Sequence, residues 1–174
     1  MMRRSGPFVN GPESRIVVMS WMGRPPIPLI PFVIGKLAVG TSWLVLIARW
    51  LGRGPDALGP PALRVAAACL LAVGVLVFVA AIFQLGDSLR VGLPDGPTEL
   101  KTAGLYAYSR NPIYLAVFLI CAASCLYTPH PLNVACAVVA TSIHHWIVLA
   151  EERFLAERFG GAWQDYAASV RRYL

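Results

Sequence analysis

The chain has 174 residues, of which 57% are apolar and only 14% are charged, and its formal net charge is +6. Together with a mean hydropathy of +0.61, this is the profile of an integral membrane protein with room for one domain, and not that of a soluble protein. The positive charge is explained by attraction to anionic lipids and by orientation in the membrane, so no nucleic-acid partner is expected.

Apolar segments predict an all-α integral membrane protein with about four transmembrane helices. Residues 1–28 contain no long apolar run and are rich in Arg, Gly, Pro and Ser, so they predict a flexible N-terminal tail. The four apolar segments that follow are 29–51, 62–85, 112–127 and 132–150. The third is short for a full crossing, and the turn at 128–131 joins it to the fourth as a tight helical hairpin. Residues 29–174 therefore form a single membrane-embedded domain.

The basic residues indicate how the chain is oriented. They concentrate in the tail, in the loop between the second and third segments, and at the C-terminus. With four crossings these three regions lie on one face of the membrane, and the excess of arginine and lysine predicts that this face is cytoplasmic. Both termini are therefore expected on the cytoplasmic side.

Polar groups are densest in residues 100–114, where a polar loop meets the third apolar segment. The stretch contains Tyr106, Tyr108, Arg110, Asn111, Pro112 and Tyr114. Pro112 suits the first turn of a helix and pushes Asn111 out of helical geometry. Arg110 and Asn111 therefore lie at a helix mouth, where free N–H groups, the helix dipole and the guanidinium fork favour a carboxylate or another anion.

A second group of charges directly follows the fourth apolar segment. Glu151 and Glu152 begin a stretch whose apolar residues recur at helical spacing, which predicts an amphipathic C-terminal helix that breaks or bends at Gly160-Gly161. On composition alone these carboxylates are solvated charges on a surface helix. The four-span arrangement, however, brings them to the same face as Arg110, and charges at a lipid boundary are costly unless paired or functional.

Other polar residues within the apolar segments have simpler explanations. Lys36 predicts an anchor whose ammonium reaches the interface along its own stem. His144 and His145 point to different faces, which favours one packed against a neighbouring helix and one near the headgroups, with proton handling as the alternative. The four cysteines all fall in apolar segments. Cys121 and Cys125 share a helix face but have no histidine or carboxylate close in sequence to complete a site, so no metal site is predicted.

Residues 84–174 resemble the isoprenylcysteine carboxyl methyltransferase family and its phospholipid methyltransferase relatives. The first shared pattern is Gly-x-Tyr-x-x-x-Arg-[His/Asn]-Pro-x-Tyr, present as Gly104, Tyr106, Arg110, Asn111, Pro112 and Tyr114. The second is Glu-Glu-x-x-Leu-x-x-x-Phe-Gly, present as Glu151, Glu152, Leu155, Phe159 and Gly160. The chain departs from the family at three positions: Asn111 replaces a histidine, Trp163 a frequent tyrosine and Arg171 a common proline. The first departure agrees with the wider bacterial branch.

The resemblance implies a membrane methyltransferase that uses S-adenosylmethionine and takes a lipophilic or lipid-anchored substrate from the bilayer of a bacterial inner membrane. Gly104, Tyr106, Arg110, Asn111, Pro112, Tyr114 and Glu151 would bind the cofactor, and Arg110, Glu151 and Glu152 would be catalytic. Carboxyl O-methylation is favoured, since a carboxylate needs no base, whereas an amine would give its proton to Glu151 or Glu152. The alternatives are a non-catalytic membrane scaffold that binds a lipid or partner helix, and an NADPH-dependent membrane reductase of the sterol type.

Overall fold

The computed structural model describes residues 24–53, 60–86, 93 and 99–174, and within these ranges the protein is all-helical. The elements are α1 (Leu29–Trp50), α2 (Pro61–Leu85), a 3-10 helix (Gly104–Ala107), α3 (Pro112–Tyr127), α4 (Pro131–Phe159) and α5 (Gly161–Ser169). Arg24 and Leu93 form an isolated antiparallel bridge. The prediction of an all-α membrane protein is confirmed.

Three of the helices are long and apolar enough to cross a membrane: α1 with 22 residues, α2 with 25 and α4 with 29. Helix α3 has 16 residues, which at 1.5 Å per residue is about 24 Å and shorter than the hydrocarbon core. The sequence predicted this short third segment. Large apolar side chains cover the outer faces of α1 and α2, such as Leu37 at 65% exposed and Phe83 at 80%, as expected for surfaces in contact with lipid.

Proline and glycine set the helix ends. Pro61, Pro112 and Pro131 each open a helix at its first turn, where a missing N–H costs nothing. Gly160 has φ +52° and separates α4 from α5, because glycine tolerates a positive φ that other residues avoid. The predicted break at Gly160-Gly161 is therefore confirmed.

Close helix crossings hold the bundle together: α2 packs along α3, α1 packs against α4 and α3, and α3 packs against α4. A Cβ at Gly74 would lie 2.8 Å from Ile120 Cγ1, and one at Gly35 would lie 2.6 Å from Ile143 Cγ2. Small residues at such crossings let helices approach closely in a membrane. These two glycines therefore fix the α2–α3 and α1–α4 contacts.

The N-terminal end of α1 lies beside the C-terminal half of α4. Ile27, just before α1, is 6% exposed and packs with Ile147 and Ala150. Residues 1–23 of the predicted flexible tail lie outside the described residues, as do Asp87, Arg90 and Asp95 of the second loop. Because α1 and α4 run in opposite directions, the first turns of α1 and the glutamates of α4 are at the same end of the bundle.

A buried polar network closes the opposite end. Asn133 Nδ2 donates to the backbone oxygens of Ser124 (3.1 Å) and Thr128 (2.9 Å), and Ser42 Oγ donates to Asn133 Oδ1 (3.0 Å). The network ties α1 and the hairpin of α3 and α4 to one another. Beside it, an apolar cavity of about 630 Å³ lies between α1, α2 and α3 and is lined by Trp43, Leu46 and Phe78 among others. Its walls suit hydrocarbon, and it is remote from the charged end of the bundle.

Candidate active site

The polar site forms where the start of α3 meets the last turns of α4. Asn111 immediately precedes α3 with φ −133° and ψ 56°, which is not helical geometry. Arg110 and Asn111 therefore lie at the N-terminus of α3, as predicted. Glu151 and Glu152 lie about two turns before the end of α4 at Phe159. The hairpin turn between α3 and α4 brings these groups together although they are 37 to 42 residues apart.

Glu152 is enclosed by donors and is 8% exposed. Its Oε1 accepts from Arg110 Nε (3.2 Å) and Asn111 Nδ2 (2.9 Å). Its Oε2 accepts from Arg172 at Nη2 (2.8 Å) and Nε (3.0 Å), and more weakly from Arg110 Nη2 (3.4 Å). Five N–H groups thus share about four lone-pair sites. Glu152 has little acceptor capacity left for another ligand.

Arg110 uses most of its donors to hold the C-terminal segment, defined here as residues 160–174. Its Nη1 donates to the carbonyl oxygens of Ala167 (2.7 Å) and Val170 (3.0 Å), and its backbone N–H donates to Arg171 O (2.9 Å). Its guanidinium also lies 5.8 Å from the Trp163 ring centroid, within cation–π range. Arg110 therefore joins α3, α4 and the C-terminal segment.

Arg172, which lies outside both sequence motifs, completes this cluster. It supplies two of the N–H groups on Glu152, and that hydrogen bonding raises the pKa of Arg172. Its carbonyl oxygen accepts from Asn111 Nδ2 (3.3 Å) and Ser109 Oγ (3.3 Å). The signal in the sequence was the pair Arg171-Arg172 itself, but only a chain that folds back over the start of α3 brings Arg172 to Glu152.

Glu151 lies in a different environment from its neighbour. Its Oε1 accepts a hydrogen bond of 2.7 Å from the Tyr114 hydroxyl, and among the described residues this is its one hydrogen bond. Tyr106 is 8% exposed, and it is close enough to Glu151 for the Glu151 charge to add to the effect of burial in raising the pKa of Tyr106. Glu151 therefore combines two aromatic hydroxyl groups nearby with a carboxylate oxygen that can still accept a hydrogen bond.

Tyrosine side chains also fix the loop above the site. The Tyr166 hydroxyl donates to Tyr106 O at 2.6 Å, which attaches α5 to the 3-10 helix. Burial raises the pKa of Tyr166 to about 12 and raises that of Tyr106 further, because the charged phenolate is disfavoured away from water. Both hydroxyls therefore stay protonated at neutral pH.

Gly104 anchors the same loop to α2. It has φ +64°, and a Cβ at this position would collide with the Gln84 amide. The Gln84 Oε1 accepts from Leu105 N at 2.7 Å. Gly104 therefore shapes the loop that carries Tyr106, which is an indirect relation to the predicted cofactor site.

The predicted site residues thus form two connected groups. Arg110 and Asn111 contact Glu152, while Tyr114 contacts Glu151 and Tyr106 lies near it. Pro112 is buried in the first turn of α3. Tyr108, the third tyrosine of the stretch, is 77% exposed.

The two histidines lie on different faces of α4, as predicted. His144 is 3% exposed, with its ring centroid 6.0 Å from that of Tyr114, and its Nε2 lies 3.3 Å from the Lys36 ammonium. His145 is exposed and its Nδ1 lies 2.8 Å from the Tyr173 hydroxyl. Lys36 was predicted as an interfacial anchor, but its ammonium turns into the bundle to meet His144.

S-adenosylmethionine, the cofactor that the resemblance implies, has a sulfonium that suits aromatic rings and amino and hydroxyl groups that need acceptors. Tyr106 and Tyr114 are the aromatic residues near Glu151, and the Glu151 carboxylate retains acceptor capacity. Asn111 Nδ2 donates to Glu152 and Arg172 O, which leaves the side-chain oxygen of Asn111 as a further acceptor. These aromatic and acceptor groups are of the kind that such a cofactor would need.

Taken together, the fold and the site define a helical integral membrane protein with a charged, aromatic-lined site at one end of its bundle. The family model described as "Phospholipid methyltransferase" matches residues 63–162, which is more than half of the chain. The chain belongs to this family and is a membrane methyltransferase. The expected relationship to the isoprenylcysteine and phospholipid methyltransferases is confirmed. Comparisons with curated proteins and with solved structures gave no match.

Proposed function

We propose that the protein transfers a methyl group from S-adenosylmethionine to a lipophilic or lipid-anchored substrate, with a carboxylate as the preferred acceptor. One observation carries the proposal. Tyr106, Arg110, Asn111, Tyr114, Glu151 and Glu152 all lie within the matched residues 63–162. The contacts of Arg110 with Glu152 and of Tyr114 with Glu151 join the two motifs that contain them.

The two glutamates take different parts in this proposal. Glu151, with Tyr106, Tyr114 and Asn111, holds the cofactor, because its carboxylate retains acceptor capacity. Glu152 and Arg110 act as positioning residues, because their polar atoms are already engaged with Asn111, Arg172 and the C-terminal segment. Gly104 and Pro112 shape the loop and the first turn of α3 that carry these side chains.

Bound S-adenosylmethionine supplies an electrophilic methyl group on a positively charged sulfur. The protein's part is then to orient the acceptor in line and to exclude water. Tyr106 and Tyr114 are the aromatic residues near Glu151 whose rings would stabilise the positive charge. A carboxylate acceptor arrives ionised and needs no base, whereas an amine must first lose a proton, for which Glu151 is the nearest acceptor.

The substrate class follows from the fold and the family. The site lies at the ends of apolar helices, so a lipophilic substrate reaches it from the bilayer, and membrane lipids surround it throughout. The positive-inside distribution of arginine and lysine supports a cytoplasmic location of the site and of both termini. The resemblance to the wider bacterial branch of the family favours a bacterial inner membrane. The family description names phospholipids, which makes the amine of a phospholipid the second candidate acceptor.

Calorimetric titration of S-adenosylmethionine into the detergent-purified full chain tests the cofactor, with NADPH as the control nucleotide. We expect saturable binding of S-adenosylmethionine in wild type and its loss in Glu151→Gln, with no binding of NADPH. Binding of NADPH alone would favour the reductase, and binding of neither nucleotide to folded protein would favour the scaffold.

The acceptor is tested separately with radiolabelled cofactor and membrane lipid extract. A methyl ester releases its label as volatile methanol in mild base, whereas an N-methyl group keeps it. Base-labile label in the lipid fraction supports carboxyl O-methylation, and base-stable label replaces it with amine methylation.

A further inference from the structure

We propose that Lys36 and His144 form an anion-binding subsite, two helical turns inside the bundle from Glu151, that receives the acidic group of the lipophilic substrate. This proposal rests on the proposed function and specifies how its substrate is held. The acidic group is either a carboxylate or the phosphodiester of a phospholipid, since both offer an anionic oxygen to an ammonium.

The position of the Lys36 ammonium is the first observation. Lys36 lies seven residues after the first residue of α1, and the residue as a whole is exposed. A lysine that only anchors a helix extends toward the interface. The Lys36 ammonium instead points into the bundle, 3.3 Å from Nε2 of the buried His144 and 5.2 Å from the Phe32 ring centroid.

The hydrogen bonds of His144 assign its tautomer. A carbonyl oxygen only accepts, so the 2.8 Å contact with Ala140 O requires a proton on Nδ1. An ammonium only donates, so Nε2 accepts from Lys36. His144 is therefore neutral and adds no negative charge, and it holds the ammonium in place through a single hydrogen bond.

Lys36 is left with donors and charge to spare. An ammonium has three N–H groups, and within the described part of the chain one of them meets His144. The Glu151 carboxylate interacts electrostatically with Lys36 but forms no ion pair with it among the described residues. A cation in this position is costly unless an anion joins it. An amphiphile with an acidic headgroup supplies that anion, and its chain remains in the surrounding hydrocarbon.

The subsite is also placed to serve the reaction. His144 and Glu151 are seven residues apart on α4, about 10 Å along the helix, and Tyr114 contacts both. Only the Tyr114 side chain therefore separates an acidic group held by Lys36 from Glu151, the carboxylate that we assign to the cofactor. Lys36 then acts as a positioning residue that selects substrates with an acidic group over those without one.

Native mass spectrometry of the detergent-purified full chain tests the subsite with three probes: palmitate, a diacyl phosphatidylethanolamine and the uncharged palmityl alcohol. The variants are Lys36→Met, which keeps the length and removes the charge, and Lys36→Arg, which keeps the charge. Lys101→Met is the matched control, because Lys101 lies in the loop and pairs with Glu99. Binding of S-adenosylmethionine to each variant is measured alongside as an independent check of the folded cofactor site.

We expect Lys36→Met to weaken binding of the preferred acidic probe, palmitate or the phospholipid, by about tenfold or more, the loss of one charge-assisted hydrogen bond. Lys36→Arg should bind it within about threefold of wild type, since the charge remains. Palmityl alcohol binding and the Lys101→Met control should not change. Preference for palmitate identifies a carboxylate, and preference for the phospholipid identifies a phosphodiester.

The subsite is overturned if wild type binds neither palmitate nor the phospholipid, or if Lys36→Met binds them as tightly as wild type. An equal loss of palmityl alcohol binding in Lys36→Met would also overturn it, because the effect would then be one of packing. Absence of cofactor binding in wild type, by contrast, contradicts the proposed function and not the subsite, so the two failures are distinguishable.

Discussion

Glu151 and Glu152 are adjacent in sequence, yet their carboxylates have separate partners: Glu151 accepts from Tyr114, whereas Glu152 accepts from Arg110, Asn111 and Arg172. Successive residues of an α-helix are rotated by about 100°, so one carboxylate faces the bundle and the other faces the C-terminal segment. Glu151 is therefore available to bind a ligand, whereas Glu152 holds the C-terminal segment.

Substituting each glutamate by glutamine should separate these two roles. Glu152→Gln leaves the two arginines without their carboxylate, so the C-terminal segment should open with a local cost of about 3 kcal/mol. Glu151→Gln should keep that segment closed and lose cofactor binding. Limited proteolysis with mass-spectrometric mapping of residues 160–174 measures the first effect and calorimetry the second. Identical behaviour of the two variants would contradict the division.

Arg110→Lys should release the C-terminal segment although the charge is kept. A single ammonium cannot reach Glu152 and the carbonyls of Ala167 and Val170 together, as the guanidinium does. We expect faster proteolysis after residue 160. Arg153→Lys is the matched control, because Arg153 is exposed and its side chain bonds only Leu149 O among the described residues. Protease resistance equal to that of wild type in Arg110→Lys would exclude the clamp.

Tyr166→Phe should detach α5 from the 3-10 helix. It removes the 2.6 Å hydrogen bond to Tyr106 O and leaves a buried carbonyl unpaired, at a cost of about 1–3 kcal/mol. Tyr173→Phe, which loses only an exposed contact with His145, should cost less. Proteolysis of the segment again measures both, and an equal effect of the two variants would contradict the assignment.

The same hydroxyl predicts a pH dependence. The pKa of Tyr166 is raised from 10 to about 12 in the folded protein, so the folded state favours the protonated form more than the unfolded state does. Its contribution is therefore fully present below pH 10 and is lost as the pH rises from 10 through 12. Protection of the C-terminal segment should be constant from pH 7 to about 10 and fall above it, and Tyr166→Phe should reduce that fall.

Asn133→Ala should destabilise the bundle without touching the site. The side chain is fully buried and bonds Ser42, Ser124 and the Thr128 carbonyl, so its loss leaves several polar groups unpaired at a cost of about 2–3 kcal/mol. The neighbouring Leu132 is 59% exposed, and Leu132→Ala serves as the control. Detergent-induced unfolding measures the stability, and cofactor affinity of the folded fraction should stay unchanged.

Gly104→Ala should displace the loop that carries Tyr106. Alanine pays about 1–2 kcal/mol at a positive φ, and its Cβ would also collide with Gln84. We expect weaker cofactor binding with little change in unfolding of the helices. Gln84→Ala is the control, because it loses the hydrogen bond from Leu105 N without adding a Cβ at Gly104, and it should bind the cofactor more tightly than Gly104→Ala. Equal affinity of the two variants would assign the effect to the lost anchor on Gln84 and not to the conformation of Gly104.

The apolar pattern and the two motifs predicted the helices, their order and part of the polar cluster. Long apolar runs must form helices in a bilayer because every backbone N–H and C=O has to be paired inside the segment. Pro112 and Gly160 set boundaries through their own backbone geometry, which is local. The two motifs therefore predicted Arg110, Asn111, Tyr114, Glu151 and Glu152 as one group before any contact was known.

Which of these side chains contact one another depends on the tertiary structure. The face that each glutamate presents depends on the helix packed against it, and a sequence does not give that packing. Arg172 reaches Glu152 only because the chain folds back after α5. Lys36 meets His144, 108 residues away, only because Gly35 lets α1 approach α4 closely. Contacts between distant residues follow from how helices cross, so they are absent from local sequence patterns.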